Sequence, residues 1–121
     1  MTQLSAYAIP GIKRLYMFDT EQEIIEKISE YFKVPTSKIL YRMRGTSDVV
    51  YARDWCFWFL LNKTNKSLKE IGRIMNRDHT TVIHSREKTR GFLYFENNSE
   101  YDRYREDYHK LSLMLDRDIK I

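Results

Sequence analysis

Between Arg77 and Ser85 the chain reads RDHTTVIHS, which puts one carboxylate, two imidazoles and three hydroxyls within nine residues. Such groups suit metal binding, hydrolysis or the reading of nucleic-acid bases. His79 and His84 are five apart, off the four-residue spacing that stacks two ligands on one helix face, so a metal site is not expected. Asp78 and His79 have no second carboxylate cluster, nucleophile elbow or glycine-rich phosphate loop beside them, so an enzyme is not expected either, nor a cofactor. Base reading suits the residue types better. Asp78 can accept from the exocyclic amine of cytosine, His79 can donate or accept at a purine edge, and Thr80 offers a hydroxyl and a methyl that suits thymine. Asp78 also serves as a helix N-cap. Thr81 and His84 sit where they can reach phosphate oxygens, aided by the positive end of a helix dipole. Asp, His and Thr are mediocre helix formers, so propensity alone does not select them for a helix start.

The elements that must carry this stretch follow from apolar spacing. Ile24, Ile25, Ile28, Tyr31 and Phe32 recur at three- and four-residue steps and predict an amphipathic helix over Asp19–Lys33, capped by Asp19 or Thr20. Val34-Pro35 ends it, and Thr36–Leu40 fits one short helical turn. Tyr41–Asp48, YRMRGTSD, has two arginines, a glycine and no period, and reads as a basic loop. A long helix from about Ser47 to Asn62 follows, apolar on so much of its girth that contact on more than one side is expected. Ser67-Leu68-Lys69-Glu70 has the capping-box spacing of a new helix, with Leu68, Ile71, Ile74 and Met75 as its inner stripe. After a turn at Met75-Asn76-Arg77, Asp78 opens a second helix running to about Arg90, with Val82 and Ile83 facing inward. Two short helices joined tightly, the second starting with polar side chains, form the layout of a helix-turn-helix. A last helix is expected over about Ser99–Arg117, its tyrosines Tyr101, Tyr104 and Tyr108 serving packing in preference to base stacking.

Composition agrees with one folded domain. The 121 residues are 42% hydrophobic and 31% charged with only four glycines and two prolines, which excludes a disordered tail. Cys56 is the single cysteine, so no internal disulfide forms, and a reducing, cytoplasmic setting is expected. The apolar run Trp55–Leu61 is too short to span a bilayer, and no signal-peptide core precedes it. The net charge of +4 is uneven: residues 1–32 carry −2, residues 33–90 carry +8, and residues 91–121 carry −2. A cationic block between acidic flanks is the electrostatic footprint of a nucleic-acid surface, although a solvated basic face has the same signature.

The segment SLKEIGRIMNRDHTTVIHSREK, residues 67–88, resembles the signature S-L-P-E-I-G, turn, R-D-H-T-T-V-[LI]-H-[AS] of the C-terminal duplex-binding domain (domain IV) of the DnaA family of bacterial replication initiators. Tyr51-Ala52-Arg53-Asp54 is similar to that family's A-x-P-R-Q entry to the long helix, and the likeness covers roughly residues 20–95. The resemblance implies a compact all-α fold containing a helix-turn-helix, of the kind also seen in Trp repressor, with residues 1–18 as an N-terminal arm, 19–95 as the DNA-binding domain and 96–121 as a helix packed on it. It implies base readout by Asp78, His79 and Thr80, and entry of Arg44 into an adjacent A·T-rich minor groove with Arg42 beside it. Backbone contacts are implied for Arg42, Arg53, Thr81, His84 and Lys88, and Lys66, Lys69 and Arg77 join them around the turn. Lys69 stands where the family has proline, Asp54 stands where it has glutamine and would repel a phosphate or pair with arginine, the turn is one residue shorter and the basic loop one longer.

A complete initiator also carries a G-x-x-x-x-G-K-[ST] nucleotide loop, and these 121 residues contain none. The expectation is therefore a stand-alone DnaA-like protein, encoded by a phage or mobile element, that binds double-stranded DNA at a DnaA-box-like site in replication initiation or its regulation and binds neither nucleotide nor membrane. The alternatives are an adaptor of the same fold acting through other replication or regulatory proteins, and a helix-turn-helix transcriptional regulator.

Overall fold

The computed structural model describes residues 20–94 and 99–118, which form six helices and, among the described residues, no strand. Helix α1, Thr20–Phe32, buries Ile24, Ile25 and Ile28 along one stripe. It ends in a Schellman motif: Lys33 adopts φ 57°, the Val34 amide donates to Ser29 O at 3.0 Å and the Lys33 amide to Glu30 O at 3.3 Å. Pro35 then opens the single turn α2, Thr36–Ile39, which buries Ile39. The expected N-terminal arm and Asp19 as a cap lie outside the described residues.

Helix α3, Ser47–Lys63, is the axis of the fold. Every residue from Tyr51 to Leu60 is buried, because α1 and α2 and the helix-turn-helix pack on different sides of it and the tyrosines of the last helix cover what remains. That accounts for its apolar girth and also means that Arg53 and Asp54 are buried and must find partners. Helix α4, Leu68–Ile74, begins with the expected capping box: Glu70 N donates to Ser67 Oγ at 3.1 Å and Ser67 N donates to Glu70 Oε1 at 2.8 Å.

Helix α5, His79–Tyr94, buries Val82, Ser85, Thr89 and Leu93 at helical steps. It runs through Gly91, beyond the expected end near Arg90, because Phe92 and Leu93 continue the face that packs on the core. Helix α6, Ser99–Asp118, lays Tyr104, Leu111 and Leu115 into the same core. Tyr104 stacks on Phe92 at 4.4 Å between ring centroids, and Tyr108 stacks on Phe59 at 6.0 Å, so these tyrosines pack. Asp107 accepts from Tyr31 Oη at 3.0 Å and Tyr51 Oη at 2.6 Å, tying α6 to α1 and α3.

Candidate nucleic-acid interface

The start of α5 is organised by Asp78. Its Oδ2 accepts from Thr80 N at 3.0 Å and from the Thr80 hydroxyl, and its main-chain oxygen accepts the Thr81 amide at 3.0 Å. The two bonds from Thr80, led by that from its hydroxyl, hold the carboxyl below its ordinary value. The cap fixes one carboxylate oxygen; the other lies 3.7 Å from His79 Nδ1. Asp78, Thr80, Thr81, His84 and Lys88 are exposed and His79 is half-buried, while Val82, Ser85 and Thr89 take the inner face.

What presents this helix is the turn before it. Asn76 takes the left-handed conformation at φ 59°, and a second Schellman motif forms, with Arg77 N donating to Gly72 O at 2.7 Å and Asn76 N to Arg73 O at 3.1 Å. The backbone of the turn comes so close that a Cβ on Gly72 would lie 2.6 Å from Arg77 O. Neither Gly72 nor Asn76 stood out from the motif as functional, yet a glycine inside a helical pattern is a signal of close backbone approach.

The basic loop is held from both sides. Arg53 donates through Nε to Ile39 O at 2.7 Å, through Nη1 to Arg44 O at 2.7 Å and through Nη2 to Lys38 O at 2.9 Å, with longer bonds to Tyr41 O and Met43 O. Arg77 reaches across from the turn, its Nη2 donating to Tyr41 O at 2.5 Å and Met43 O at 3.1 Å, and Asn76 Nδ2 donates to Leu40 O at 3.3 Å. The phosphate contacts expected of Arg53 and Arg77 therefore meet guanidinium groups already committed to loop carbonyls. At 4% exposure Arg53 is buried beneath the loop whose carbonyls it holds. The long apolar helix hid this, because its arginine reads from the sequence as a surface cation.

Of the two expectations for Asp54, the pair with arginine is not formed among the described residues: Lys88 Nζ lies 2.7 Å from Oδ2 and Ser85 Oγ donates to Oδ1 at 2.6 Å, so the carboxylate pins α5 to α3 and steers Lys88.

The result is a cleft of about 420 Å³ between loop and helix, bordered by Arg42 and Arg44 on the loop side and by Thr81, His84 and Lys88 on the α5 side, with Arg53, Arg77 and Asp54 in its floor. Five cations share it with one carboxylate. Burial first, and then the neighbouring Arg77, press the Arg53 guanidinium below its ordinary value; burial and Arg42 do the same to Arg77. Like charges held this close favour an anion between them. Lys66 and Lys69 are exposed at the entry to α4 and lie outside the cleft. Among the described residues no group of His, Cys, Asp and Glu is arranged to hold a metal ion, and no helix is long and apolar enough to cross a membrane.

The family model described as the bacterial dnaA protein helix-turn-helix matches residues 22–89. Over 80 residues the chain is 36% identical to the chromosomal replication initiator protein DnaA of Ureaplasma parvum, an alignment covering 65% of this chain and 17% of that protein. The proteins of the same name from Mycoplasma pneumoniae and Thermosipho africanus are 33% identical over 60 residues and 30% identical over 63, covering 50% and 52% of this chain and 13% and 14% of theirs. The matched part thus spans less than a fifth of these relatives' length. The family match takes in the basic loop, the buried Arg53, the turn and the polar start of α5, and with more than half of its residues inside that match the chain belongs to the bacterial DnaA helix-turn-helix family.

Proposed function

We propose that the chain binds double-stranded DNA sequence-specifically at a site of the DnaA-box type, in replication initiation or its regulation, within the bacterial cytoplasm. The observation that carries this reading is the shared cleft: Thr81, His84 and Lys88, which follow the capped start of α5, and the clamped arginine loop border one cationic channel. A helix start offering Asp78, His79 and Thr80 suits the major groove, where base edges differ in their donors and acceptors. The sugar-phosphate strand beside that groove suits the channel, between Thr81, His84 and Lys88 on one wall and Arg42 on the other. Arg44, one strand further over, then meets the adjacent minor groove, and Arg53 and Arg77 position it. Lys66 and Lys69 extend the phosphate contacts along the entry to α4.

Fluorescence anisotropy with a DnaA-box duplex and a scrambled duplex, each at two salt concentrations, tests this. Wild type is expected to favour the box and to weaken steeply as salt rises, since phosphate contacts release counterions. His79→Ala is expected to cost about 1–3 kcal/mol on the box and little on the scrambled duplex. Arg44→Ala is expected to lose affinity chiefly where the flank is A·T-rich. Equal, weak binding of both duplexes, unchanged by His79→Ala, would refute specific readout and favour an adaptor working through protein partners.

A further inference from the structure

Two large apolar side chains stand in solvent on the loop between α2 and α3: Tyr41 is 62% and Met43 is 64% exposed. Core packing does not use them, and major-groove readout gives them no task. Their setting separates them. Met43 lies between Arg42 and Arg44, both of which border the cleft, whereas Tyr41 lies outside that pair. The Met43 carbonyl is gripped twice, by Arg77 Nη2 at 3.1 Å and Arg53 Nη2 at 3.4 Å, and the next carbonyl, of Arg44, by Arg53 Nη1 at 2.7 Å. Gly45 at φ 84° then turns the chain into α3. An exposed methionine on a backbone held this firmly is an apolar probe on a stiff mount, with a cation on either side.

Resting on the binding mode above, we infer that Met43 is a minor-groove wedge that enters between two base pairs and selects for a step that unstacks easily. One phosphate strand separates the major groove from the minor groove. If that strand lies in the cleft, with α5 on its major-groove side, the loop tip on the other wall faces the minor groove. Arg44 then flanks the wedge in the negative potential of a narrow A·T groove, and Arg42, on its other side in the chain, stays on the phosphate strand in the cleft. Unbranched, polarizable methionine is among the apolar side chains that part a base step from the minor-groove side. Opening a step costs free energy that depends on its stacking, so pyrimidine–purine steps, above all TA, are favoured at that position. The mount matters as much as the tip: a loop free to recoil could not transmit the force, and the carbonyl clamps remove that freedom.

The test uses the full chain and box duplexes carrying 2-aminopurine at each successive step of the flank contacted by the loop. Wild type is expected to raise the fluorescence at one step, and to bind more tightly when that step is TA than when it is replaced by a purine–purine step. Met43→Ala is expected to lose both the fluorescence rise and the step preference while keeping the box-over-scrambled preference that depends on His79. Met43→Leu is expected to restore them in part, and Tyr41→Ala to leave them intact. Specific binding by wild type with no unstacked step, or a fluorescence rise and step preference that survive Met43→Ala, would overturn the wedge and leave the binding mode standing. Loss of the signal in Tyr41→Ala alone would overturn it in favour of the tyrosine. Failure of wild type to prefer the box would remove the binding mode itself. Circular dichroism of each variant confirms that these exposed substitutions leave the helices intact.

Discussion

Asp78 does two jobs with one side chain. Its carboxylate satisfies the Thr80 amide at the helix start and orients the Thr80 hydroxyl, and its second oxygen lies 3.7 Å from His79 Nδ1. Its depressed ionisation sets the sign of a pH effect: the ionised cap stabilises in full above the ordinary carboxylate value and is lost as pH falls through the lowered native value. Asp78→Asn should therefore melt below wild type near neutral pH, and the gap should close in strong acid; thermal melts across an acid series measure this. This residue was legible in the sequence because capping is local, spanning Asp78 to Thr80. Arg53 was not. Its partners are carbonyls 9 to 15 residues earlier in the chain, and only the folded loop brings them to one guanidinium.

At the scale of elements, the helix-turn-helix depends on how closely α4 approaches the turn that follows it. Gly72 carries no Cβ where one would meet a main-chain oxygen, a neighbour that cannot swing aside as a side chain can. Gly72→Ala should destabilise the fold by about 1–3 kcal/mol, as overpacking does, and should misplace α5 enough to weaken duplex binding in the molecules that remain folded. Urea unfolding and the anisotropy titration read the two effects separately. The helices themselves were legible to within a few residues, since apolar steps, the Ser67 capping box and Pro35 are signals carried by neighbours in sequence. The extension of α5 through Gly91 was not, because the packing of Phe92 against Tyr104 outweighs the local cost of a glycine in a helix.

Over the whole molecule, α3 serves as the post on which both halves of the cleft are hung. Arg53 holds the loop, and on the next residue Asp54 holds α5 through Ser85 and Lys88. The distance between the two cleft walls is thus set from adjacent residues of one buried helix. The far side of α3 is closed by α6, where Asp107 accepts two tyrosine hydroxyls; burial and Asp107 raise Tyr31 to about 12 and push Tyr51 up as well, so both remain donors at neutral pH. Asp107→Ala should cost about 1–3 kcal/mol of stability by leaving these hydroxyls without their acceptor. Among the described residues none of α6 borders the cleft, so affinity for the box duplex should stay at the wild-type value under conditions where the variant is folded. Calorimetry and anisotropy on one preparation check both statements.

The amino-acid sequence alone determined the helical class, most helix boundaries, the basic character of the middle of the chain and the polar start of α5. Each of these rests on interactions between residues a turn or less apart, or on simple sums of charge. Tertiary structure decided which cations face outward and which are spent within the protein. That division turns on burial and on bonds between distant segments: Arg42 and Arg44 are exposed because Arg53 and Arg77 hold the backbone that carries them.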